Sequence, residues 1–292
     1  MANLDPFRSP ELRALFIAKY DAVLAGWPVP YEEAEVPTSF GLTHVLVSDP
    51  ESAPPLVLLH GAASTSVMWR PVIESLSSFY RCYCVDTITD GNKSVATRRV
   101  RGAADYVAWL REVFAAFGIE NARVAGLSHG GWLAALLAVH APELVNRLVL
   151  LCPAATFTRI TTVFMIRVLT SGLLRSQSLV DRNVQWLSST PGAASDPAIA
   201  LVVANLLTCR TLRPELPLPT RLADDELRRI NVPTTVVIGD RDVIYGGGPE
   251  AALARAEACI PDVRTRLLPG AGHALTVDAP GVLVDELTSA LA

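Results

Sequence analysis

The sequence lacks the features of a membrane-spanning or exported protein. It has no run of about 20 nearly uninterrupted apolar residues, although half of its 292 residues are hydrophobic. The two most apolar segments do not qualify as membrane spans. Residues 130–139 are too few, and residues 160–174 are interrupted by Arg167. The N-terminus has no basic start followed by an apolar run, as a secretory signal would. We therefore expect no membrane partner and a cytoplasmic location.

Charge and cysteine are also scarce. Only 18% of residues are charged, and the net charge is −4 with no long run of one sign. Nucleic-acid binding requires a clustered basic surface, so we expect no nucleic acid partner. The five cysteines are scattered and odd in number, which favours reduced thiols. Cys82 and Cys84 form a C-x-C pair, but no His and Cys cluster completes a zinc set, so we expect no metal and no cofactor.

From about residue 43 onward, short apolar segments alternate with helical stretches. Seven segments have the length and composition of strands: THVLVS, LVLLHG, RCYCVD, ARVAG, RLVLLCP, TTVVIGD and TRLLPG. Several are apolar almost throughout, which is typical of strands buried on both faces of a parallel sheet. Helices are predicted between them over residues 69–79, 103–117, 129–140, 249–260 and 279–291. This alternation predicts an open α/β sheet with helices on both faces.

The alternation is interrupted between Cys152 and Thr234. That stretch has no clear strand, but it has helical patterns over residues 160–174, 180–187 and 198–207. A structureless loop of about 80 residues is implausible in a compact domain, so we predict a helical insertion over one edge of the sheet. The first forty residues also lie outside the alternation. They contain a predicted helix near residues 10–24 and the proline-rich segment WPVPYEEAEVP.

The segment Gly126-Leu127-Ser128-His129-Gly130 fits the pattern G-x-S-x-G. It follows the predicted strand ARVAG and opens a predicted helix, which is the context that a nucleophile elbow requires. Glycine is needed at both ends because such a turn is strained and closely packed. The alternative is an ordinary glycine-rich turn between a strand and a helix. We predict Ser128 as the nucleophile.

A serine hydroxyl needs a base that takes its proton. Of the five histidines, His273 lies in the small-residue loop LLPGAGHAL after the last predicted strand, at the sheet edge where open α/β sheets bind ligands. We predict His273 as the base. The acid that orients it should follow TTVVIGD, where both Asp240 and Asp242 are available. We favour Asp242, which lies further along the loop, because Asp240 directly ends the strand and can cap the turn.

An oxyanion hole needs backbone N–H donors aimed at the developing negative charge. We predict the N–H of His129, at a helix N-terminus, as one donor. The N–H of Ala62, in the loop after LVLLHG, is the other predicted donor. His60 is interpreted as a support of this loop, and the ring of His129 is not expected to be a second base. The order Ser, Asp, His along the chain is the order found in folds that carry a nucleophile elbow.

These motifs resemble the α/β-hydrolase superfamily from about residue 43 to the C-terminus. HGAAS, GLSHGG, GDRDVIY and GAGH are similar to its oxyanion, nucleophile, acid and histidine segments. More narrowly, WPVP, SFGLTHVL and DTITDGNKS resemble bacterial carboxylesterases with a helical cap. The last segment lacks the second glycine of the related D-x-x-G-x-G-x-S loop, so a different loop shape is expected.

The resemblance implies an α/β-hydrolase fold, with a mostly parallel doubly wound sheet and a helical cap inserted after the sixth strand. It divides the chain into a core of residues 1–154 and 226–292 and a cap of residues 155–225 that closes over the active site. The apolar cap side chains are interpreted in two ways, as a hydrophobic pocket or as packing of the cap onto the core. They are Ile160, Val163, Phe164, Met165 and Leu169.

The implied activity is that of a serine carboxylester hydrolase. It cleaves a small, apolar carboxylic ester through an acyl-enzyme on Ser128, and a thioester or lactone suits the same residues. Families that place Asp at the nucleophile position, such as haloalkane dehalogenases and epoxide hydrolases, are excluded by Ser128. Two alternatives are a carbon–carbon bond hydrolase or lyase on the same triad, and a small-molecule receptor with a vestigial triad.

Overall fold

The structure, a computed structural model, describes residues 4–48, 52–210 and 216–292. Nine strands of these residues form one sheet. They are β1 (Tyr31–Thr38), β2 (Gly41–Ser48), β3 (Pro55–Leu59), β4 (Arg81–Val85), β5 (Val95–Ala96), β6 (Ala122–Leu127), β7 (Val145–Leu151), β8 (Thr234–Gly239) and β9 (Val263–Leu268). Their order across the sheet is β1-β2-β4-β3-β6-β7-β8-β9, and β5 pairs with β2.

The sheet is antiparallel at one side and parallel elsewhere. β2 pairs antiparallel with β1, β4 and β5, whereas all pairs from β4 to β9 are parallel. Every residue of β8 is buried, as are the last four residues of β3. Strands that are apolar on both sides must be covered on both sides. The predicted mostly parallel α/β sheet is therefore confirmed.

Eleven α-helices occur among the described residues. They are α1 (Pro10–Leu24), α2 (Arg70–Ser77), α3 (Ala103–Ala116), α4 (His129–His140), α5 (Thr162–Leu174), α6 (Gln177–Leu187), α7 (Pro197–Thr208), α8 (Asp224–Leu227), α9 (Pro249–Cys259), α10 (Leu275–Asp278) and α11 (Pro280–Leu291). α4 is buried almost throughout and contacts β3, β6 and β7. None of the helices in the described ranges is long and apolar enough to cross a bilayer.

The register places the loops after the strands side by side. In the β3–β6 pair Leu59 lies opposite Gly126, so the loop after β3 starts next to the turn after β6. In the β8–β9 pair Gly239 lies opposite Leu268, which brings the loops after β8 and β9 together. Because parallel strands share one carboxyl edge, the loops that carry the predicted site residues gather at this edge.

Two strands were missed in the sequence analysis. β1 lies in the segment that was interpreted as proline-rich and outside the alternation, and β5 has only two residues. β1 is an edge strand with mostly exposed residues, and it pairs with β2 through a tight turn between Thr38 and Gly41. Charged residues and proline are common on edge strands because they discourage pairing with other chains. That composition hid the strand.

The interruption between the fifth and sixth predicted strands, RLVLLCP and TTVVIGD, is helical, as expected. α5, α6 and α7 all lie between β7 and β8. β7 is the seventh strand along the chain if the short β5 is counted, and the sixth if it is not. The division into a core of residues 1–154 and 226–292 and a cap of residues 155–225 stays a prediction. Residues 1–3, 49–51 and 211–215 of these predicted domains lie outside the described residues.

The junction of β6 and α4 is packed so closely that it admits no side chain at either glycine. A Cβ placed on Gly126 would collide with the carbonyl of Gly130, and one on Gly130 would collide with the carbonyl of Leu59. Both obstacles are backbone atoms, which cannot rotate away as the end of a flexible side chain does. The two glycines are therefore required by packing, as the sequence analysis expected.

We expect Gly126→Ala to lower the free energy of unfolding by about 1–3 kcal/mol, because overpacking forces backbone shifts. Urea unfolding followed by circular dichroism measures this change. Gly281→Ala is the matched control, since a Cβ there has no atom within 4 Å. A Gly126→Ala protein as stable as the Gly281→Ala control would contradict the close packing of this junction.

Candidate active site

Ser128 alone forms the turn between β6 and α4. Its backbone has φ 55° and ψ −113°, a conformation that costs a non-glycine residue of order 1–3 kcal/mol. Its N–H donates to the carbonyl of Leu151 at 2.9 Å. Its own carbonyl accepts from the N–H groups of Trp132 and Ala154, each at 3.0 Å. These bonds fix the strained backbone and hold the half-buried Ser128 side chain at the carboxyl end of β6.

His273 lies between Ser128 and Asp242. Its Nε2 is 2.9 Å from the Ser128 Oγ, and its Nδ1 is 2.7 Å from the Asp242 Oδ2. The second oxygen of Asp242 accepts from the N–H of Ile244 at 3.0 Å. Because a carboxylate only accepts, it places the imidazole proton on Nδ1 and leaves Nε2 to accept from the Ser128 hydroxyl. The structure thus brings the three predicted residues into one row of hydrogen bonds.

Asp240 occupies a different position from Asp242. It is exposed, and its Oδ1 accepts from the N–H of Gly270 at 2.7 Å, which joins the turns after β8 and β9. Asp242 is 4% exposed, and its carboxylate faces His273. This geometry favours Asp242 as the partner of His273 and gives Asp240 the turn-stabilising contact that the sequence analysis considered.

The loop after β3 lies against the turn at Ser128. A Cβ on Gly61 would be 3.4 Å from the Ser128 Cβ, and Ala62 lines the same cavity as Ser128. His60 is completely buried beneath this loop. Its Nδ1 donates to the Gly61 carbonyl at 2.7 Å, and its Nε2 accepts from the N–H of Thr87 at 2.9 Å. Both ring nitrogens are thereby occupied, and His60 supports the loop as interpreted from sequence.

His129 begins α4, but its ring does not line the cavity at Ser128. The ring stacks on Trp132 with centroids 5.7 Å apart, and it meets the edge of Tyr106. Burial lowers the pKa of His129 below its ordinary value, so the ring stays neutral. The predicted contribution of His129 is therefore its backbone N–H at the start of the helix, and the ring packs in the core.

Asp86, at the end of β4, fixes the neighbouring loops. Its Oδ1 accepts from the N–H of Ser66 at 2.8 Å and from the Ser66 hydroxyl at 2.9 Å. Its Oδ2 lies 3.0 Å from the Nδ1 of His44, whose Nε2 reaches Glu33 at 2.8 Å. Burial alone would raise the pKa of Asp86, but the hydrogen bond and charge of His44 hold it below its usual value. This buried carboxylate therefore anchors the segment that follows the loop at Ala62.

The segment after α6 is connected to the His273 loop. The N–H of His273 donates to the carbonyl of Leu187 at 2.7 Å. Asp278 accepts from the N–H of Gly272 at 2.7 Å through one oxygen, and from the N–H groups of Ser189 and Thr190 through the other. Asp278 was not predicted from sequence, because its partners Ser189 and Thr190 are distant along the chain.

Cys152 lies beside the row of hydrogen bonds. Its Sγ, an oxygen of Asp242 and a ring nitrogen of His273 lie within 4.8 Å of one another. Cysteine binds metals as the thiolate. Burial and the charge of Asp242 raise the pKa of Cys152 well above its usual value, so the thiol stays protonated. Both ring nitrogens of His273 already form hydrogen bonds, to Asp242 and Ser128, so this set suits a proton-transfer site better than a metal site.

The cavity at Ser128 has a volume of about 100 Å³ and a mostly apolar wall. The side chains that α6 and α7 contribute to this wall are Val184, Leu187, Ala198, Ile199 and Val202. A larger cavity of about 540 Å³ starts at Ala63 and is lined by Met165, Val168 and Leu169 of α5. Pocket residues were predicted from sequence on α5 but not on α6 or α7. The helix that faces Ser128 is determined by packing, which the sequence pattern does not specify.

Of the five apolar residues named from sequence for the predicted cap, two line the cavity of about 540 Å³ and two pack on the core. Met165 and Leu169 line the larger cavity, whereas Ile160 and Phe164 pack against the core. Val163 is 54% exposed and lines a separate, open groove beside Arg167. Both proposed roles therefore occur in the same helix.

Comparisons with known proteins extend over nearly the whole chain. A sequence model of the alpha/beta hydrolase family matches residues 56–286. The uncharacterized carboxylesterase nap of Bacillus subtilis (strain 168) is 36% identical over 265 residues, which are 89% of this chain and 87% of that protein. Carboxylesterase YbfK of the same strain is 33% identical over 279 residues, 94% of this chain and 92% of that protein.

A solved structure gives the same result. The crystal structure of naproxen esterase (carboxylesterase NP) from Bacillus subtilis matches with a TM-score of 0.88 at 34% identity. The match covers 94% of this chain and 96% of that one. The predicted α/β-hydrolase fold and the resemblance to bacterial carboxylesterases are confirmed.

The His44 contacts predict a pH-dependent stability. Burial alone would lower the pKa of His44, but hydrogen bonds to Asp86 and Glu33 raise it above its usual value. A histidine whose pKa is raised by folding stabilises the folded state fully below its unfolded pKa of about 6.5. This contribution is lost as the pH rises through the folded pKa.

We therefore expect His44→Gln to lower the free energy of unfolding by about 1–3 kcal/mol at pH 6, since it removes the charged partner of the buried Asp86 carboxylate. The loss should be smaller at pH 9, and urea unfolding at both values measures it. His140→Gln is the control, because His140 is exposed and lies 3.9 Å from its nearest carboxylate. Equal losses for His44→Gln at both pH values would contradict the charged contact.

Proposed function

The chain belongs to the alpha/beta hydrolase family, and from this premise we propose that it is a serine carboxylesterase. The observation that carries the proposal is the row of hydrogen bonds from Ser128 through His273 to Asp242. The names of relatives that align over most of this chain support ester hydrolysis as the reaction.

In the first step, the Ser128 Oγ attacks the carbonyl carbon of the ester. His273 Nε2, at 2.9 Å, takes the hydroxyl proton, and Asp242 stabilises the resulting imidazolium without taking its proton. The carbonyl oxygen gains a negative charge. The backbone N–H groups of Ala62 and His129 are the proposed donors to that oxygen, and they are most effective where water is excluded.

In the second step, the tetrahedral intermediate collapses. The bond to the alcohol oxygen breaks, the alcohol takes the proton from His273, and the acyl group stays on Ser128. A water molecule then gives a proton to His273 and attacks the acyl carbon. Release of the carboxylic acid returns the proton to the Ser128 oxygen and restores the starting state.

A small, apolar substrate fits the surroundings of Ser128. The wall of the cavity there is formed mainly by apolar side chains of the core and of α6 and α7. The polar side chains in that wall are Ser64, Ser128, His273 and Thr276. We propose that the helices of residues 155–225 form a cap and that their apolar side chains select the substrate, because apolar pockets discriminate mainly by size and shape.

We expect Ser128→Ala to lower kcat for short p-nitrophenyl esters by at least about 10³-fold, because removal of the nucleophile leaves only binding and the oxyanion donors. A fluorophosphonate probe should label Ser128 in the unaltered protein and leave the variant unlabelled. Retained hydrolysis in the variant would overturn the assignment. Labelling without hydrolysis of any ester would instead favour an enzyme that uses the same triad to cleave another kind of bond, such as a carbon–carbon bond.

We expect Asp242→Asn to lower kcat by about 10⁴-fold, because an amide no longer holds the tautomer of His273. Asp240→Asn is the matched control and should keep kcat within a factor of about three, as this exposed side chain contacts only the turn at Gly270. Steady-state kinetics with one p-nitrophenyl ester measures both. A larger effect of Asp240→Asn would reassign the acid.

A further inference from the structure

α5 presents an apolar face to solvent. Of the 13 large hydrophobic side chains that are exposed among the described residues, six lie on this helix. They are Val163, Met165, Ile166, Leu169, Leu173 and Leu174. Val163, Ile166, Leu173 and Leu174 are each more than half exposed, at 54%, 54%, 55% and 68%. Scattered exposed hydrophobic residues are normal, but a cluster of this kind indicates an interaction surface.

The helix is fixed to the rest of the protein on its other sides. The N–H of Thr161 donates to the carbonyl of Ile244 at 2.8 Å, just before α5 begins. Arg167 Nη1 donates to Asn183 Oδ1 of α6 at 2.8 Å, and the Asn183 amide donates to the Ser171 hydroxyl at 2.6 Å. The apolar side chains are thus displayed by a helix with definite partners.

Positive charge surrounds the apolar face. Residues 159–188 contain four arginines (Arg159, Arg167, Arg175 and Arg182) and Asp181 as their only acid, whereas the whole chain has a net charge of −4. Within the described part of the chain, no carboxylate forms an ion pair with any of these arginines. Arg167 and Arg182 line a groove of about 450 Å³ together with Val163 and Ile166.

An apolar helix face bordered by arginines matches an anionic lipid surface. The side chains can enter the boundary between headgroups and acyl chains, while guanidinium groups bind the lipid phosphates. A second copy of this chain is a poorer occupant, because two faces with unpaired arginines would repel each other. We propose that this protein binds anionic membrane surfaces through α5 and the adjoining arginines.

The proposal concerns a helix that lies on a membrane. α5 has 13 residues and is about 20 Å long, shorter than the roughly 30 Å of a hydrocarbon core. The expectation of no membrane partner was based on the lack of an apolar run long enough to span a bilayer. A helix that lies in the plane of the membrane surface does not need such a run.

The position of α5 connects this surface with the cavities. Met165 and Leu169 belong to the exposed set and also line the cavity that starts at Ala63. One consequence rests on the proposed function. An apolar ester dissolved in the lipid surface would reach this cavity, whose wall includes Ala63, the neighbour of Ala62. Membrane binding itself is measured without ester hydrolysis, so the two proposals fail independently.

The test is co-sedimentation of the full chain with vesicles of phosphatidylcholine and phosphatidylglycerol, compared with pure phosphatidylcholine. We expect binding to the anionic vesicles that weakens as salt is added. Ile166→Ser with Leu173→Ser should weaken binding about tenfold or more, because both side chains leave water on binding. Arg182→Gln should weaken it about fivefold on anionic vesicles alone.

Leu15→Ser with Val282→Ser is the matched control, because these exposed side chains lie on α1 and α11. It should bind as the unaltered chain does, and thermal unfolding by circular dichroism verifies that all variants are folded. The proposal is overturned if the unaltered chain does not bind anionic vesicles, or if the α5 double variant binds equally well. Sedimentation velocity that finds a dimer, dissociated by the α5 substitutions and without vesicle binding, would instead assign the face to a second copy.

Discussion

The strained backbone at Ser128 is the constraint on which the candidate site depends. A serine with φ 55° persists only where its surroundings determine it, and here β7, α4 and Ala154, the last residue before the predicted cap, each contribute a hydrogen bond. The close approach of Gly126 and Gly130 brings α4 directly onto the end of β6. One geometric result is that the Ser128 Oγ projects from the sheet edge toward His273. A second is that the N-terminus of α4, with its partial positive charge, lies at the reacting position.

Buried charge holds the other side of the site. A carboxylate as deeply buried as Asp86 is costly unless it is paired and hydrogen-bonded, and Ser66 and His44 supply the partners. His44 in turn reaches the partly exposed Glu33, so the chain of contacts extends from β1 to the loop region after β3. The antiparallel edge of the sheet, which carries none of the predicted catalytic residues, therefore stabilises the loop that provides the proposed oxyanion donor at Ala62.

The sequence was most informative where backbone geometry is dictated by few residues. The elbow at Ser128 needs glycines at fixed positions, and the acid and the histidine must follow strands that end at the same edge, so short motifs were enough to predict them. The choice between Asp240 and Asp242 required the direction of each carboxylate, which only the folded loops define. β1 was hidden because an edge strand tolerates charge and proline. Asp278 was missed because its partners Ser189 and Thr190 are almost ninety residues away along the chain.

The residues around the cavities obey a looser constraint than those of the triad. The hydrogen-bonding register with its neighbours fixes where each strand residue lies. α5, α6 and α7 have no sheet partner and are placed by side-chain packing and a few hydrogen bonds. The helical periodicity therefore left two roles open for α5, and the structure shows both of them beside a third that was not predicted. Phe164 packs on the core, Met165 lines a cavity, and Ile166 faces solvent. Consecutive residues of one helix point in different directions, so a single turn can serve stability, a cavity wall and an external surface at once. Substitutions on these helices can accordingly change the cavity walls while the hydrogen bonds of Ser128, His273 and Asp242 stay as they are.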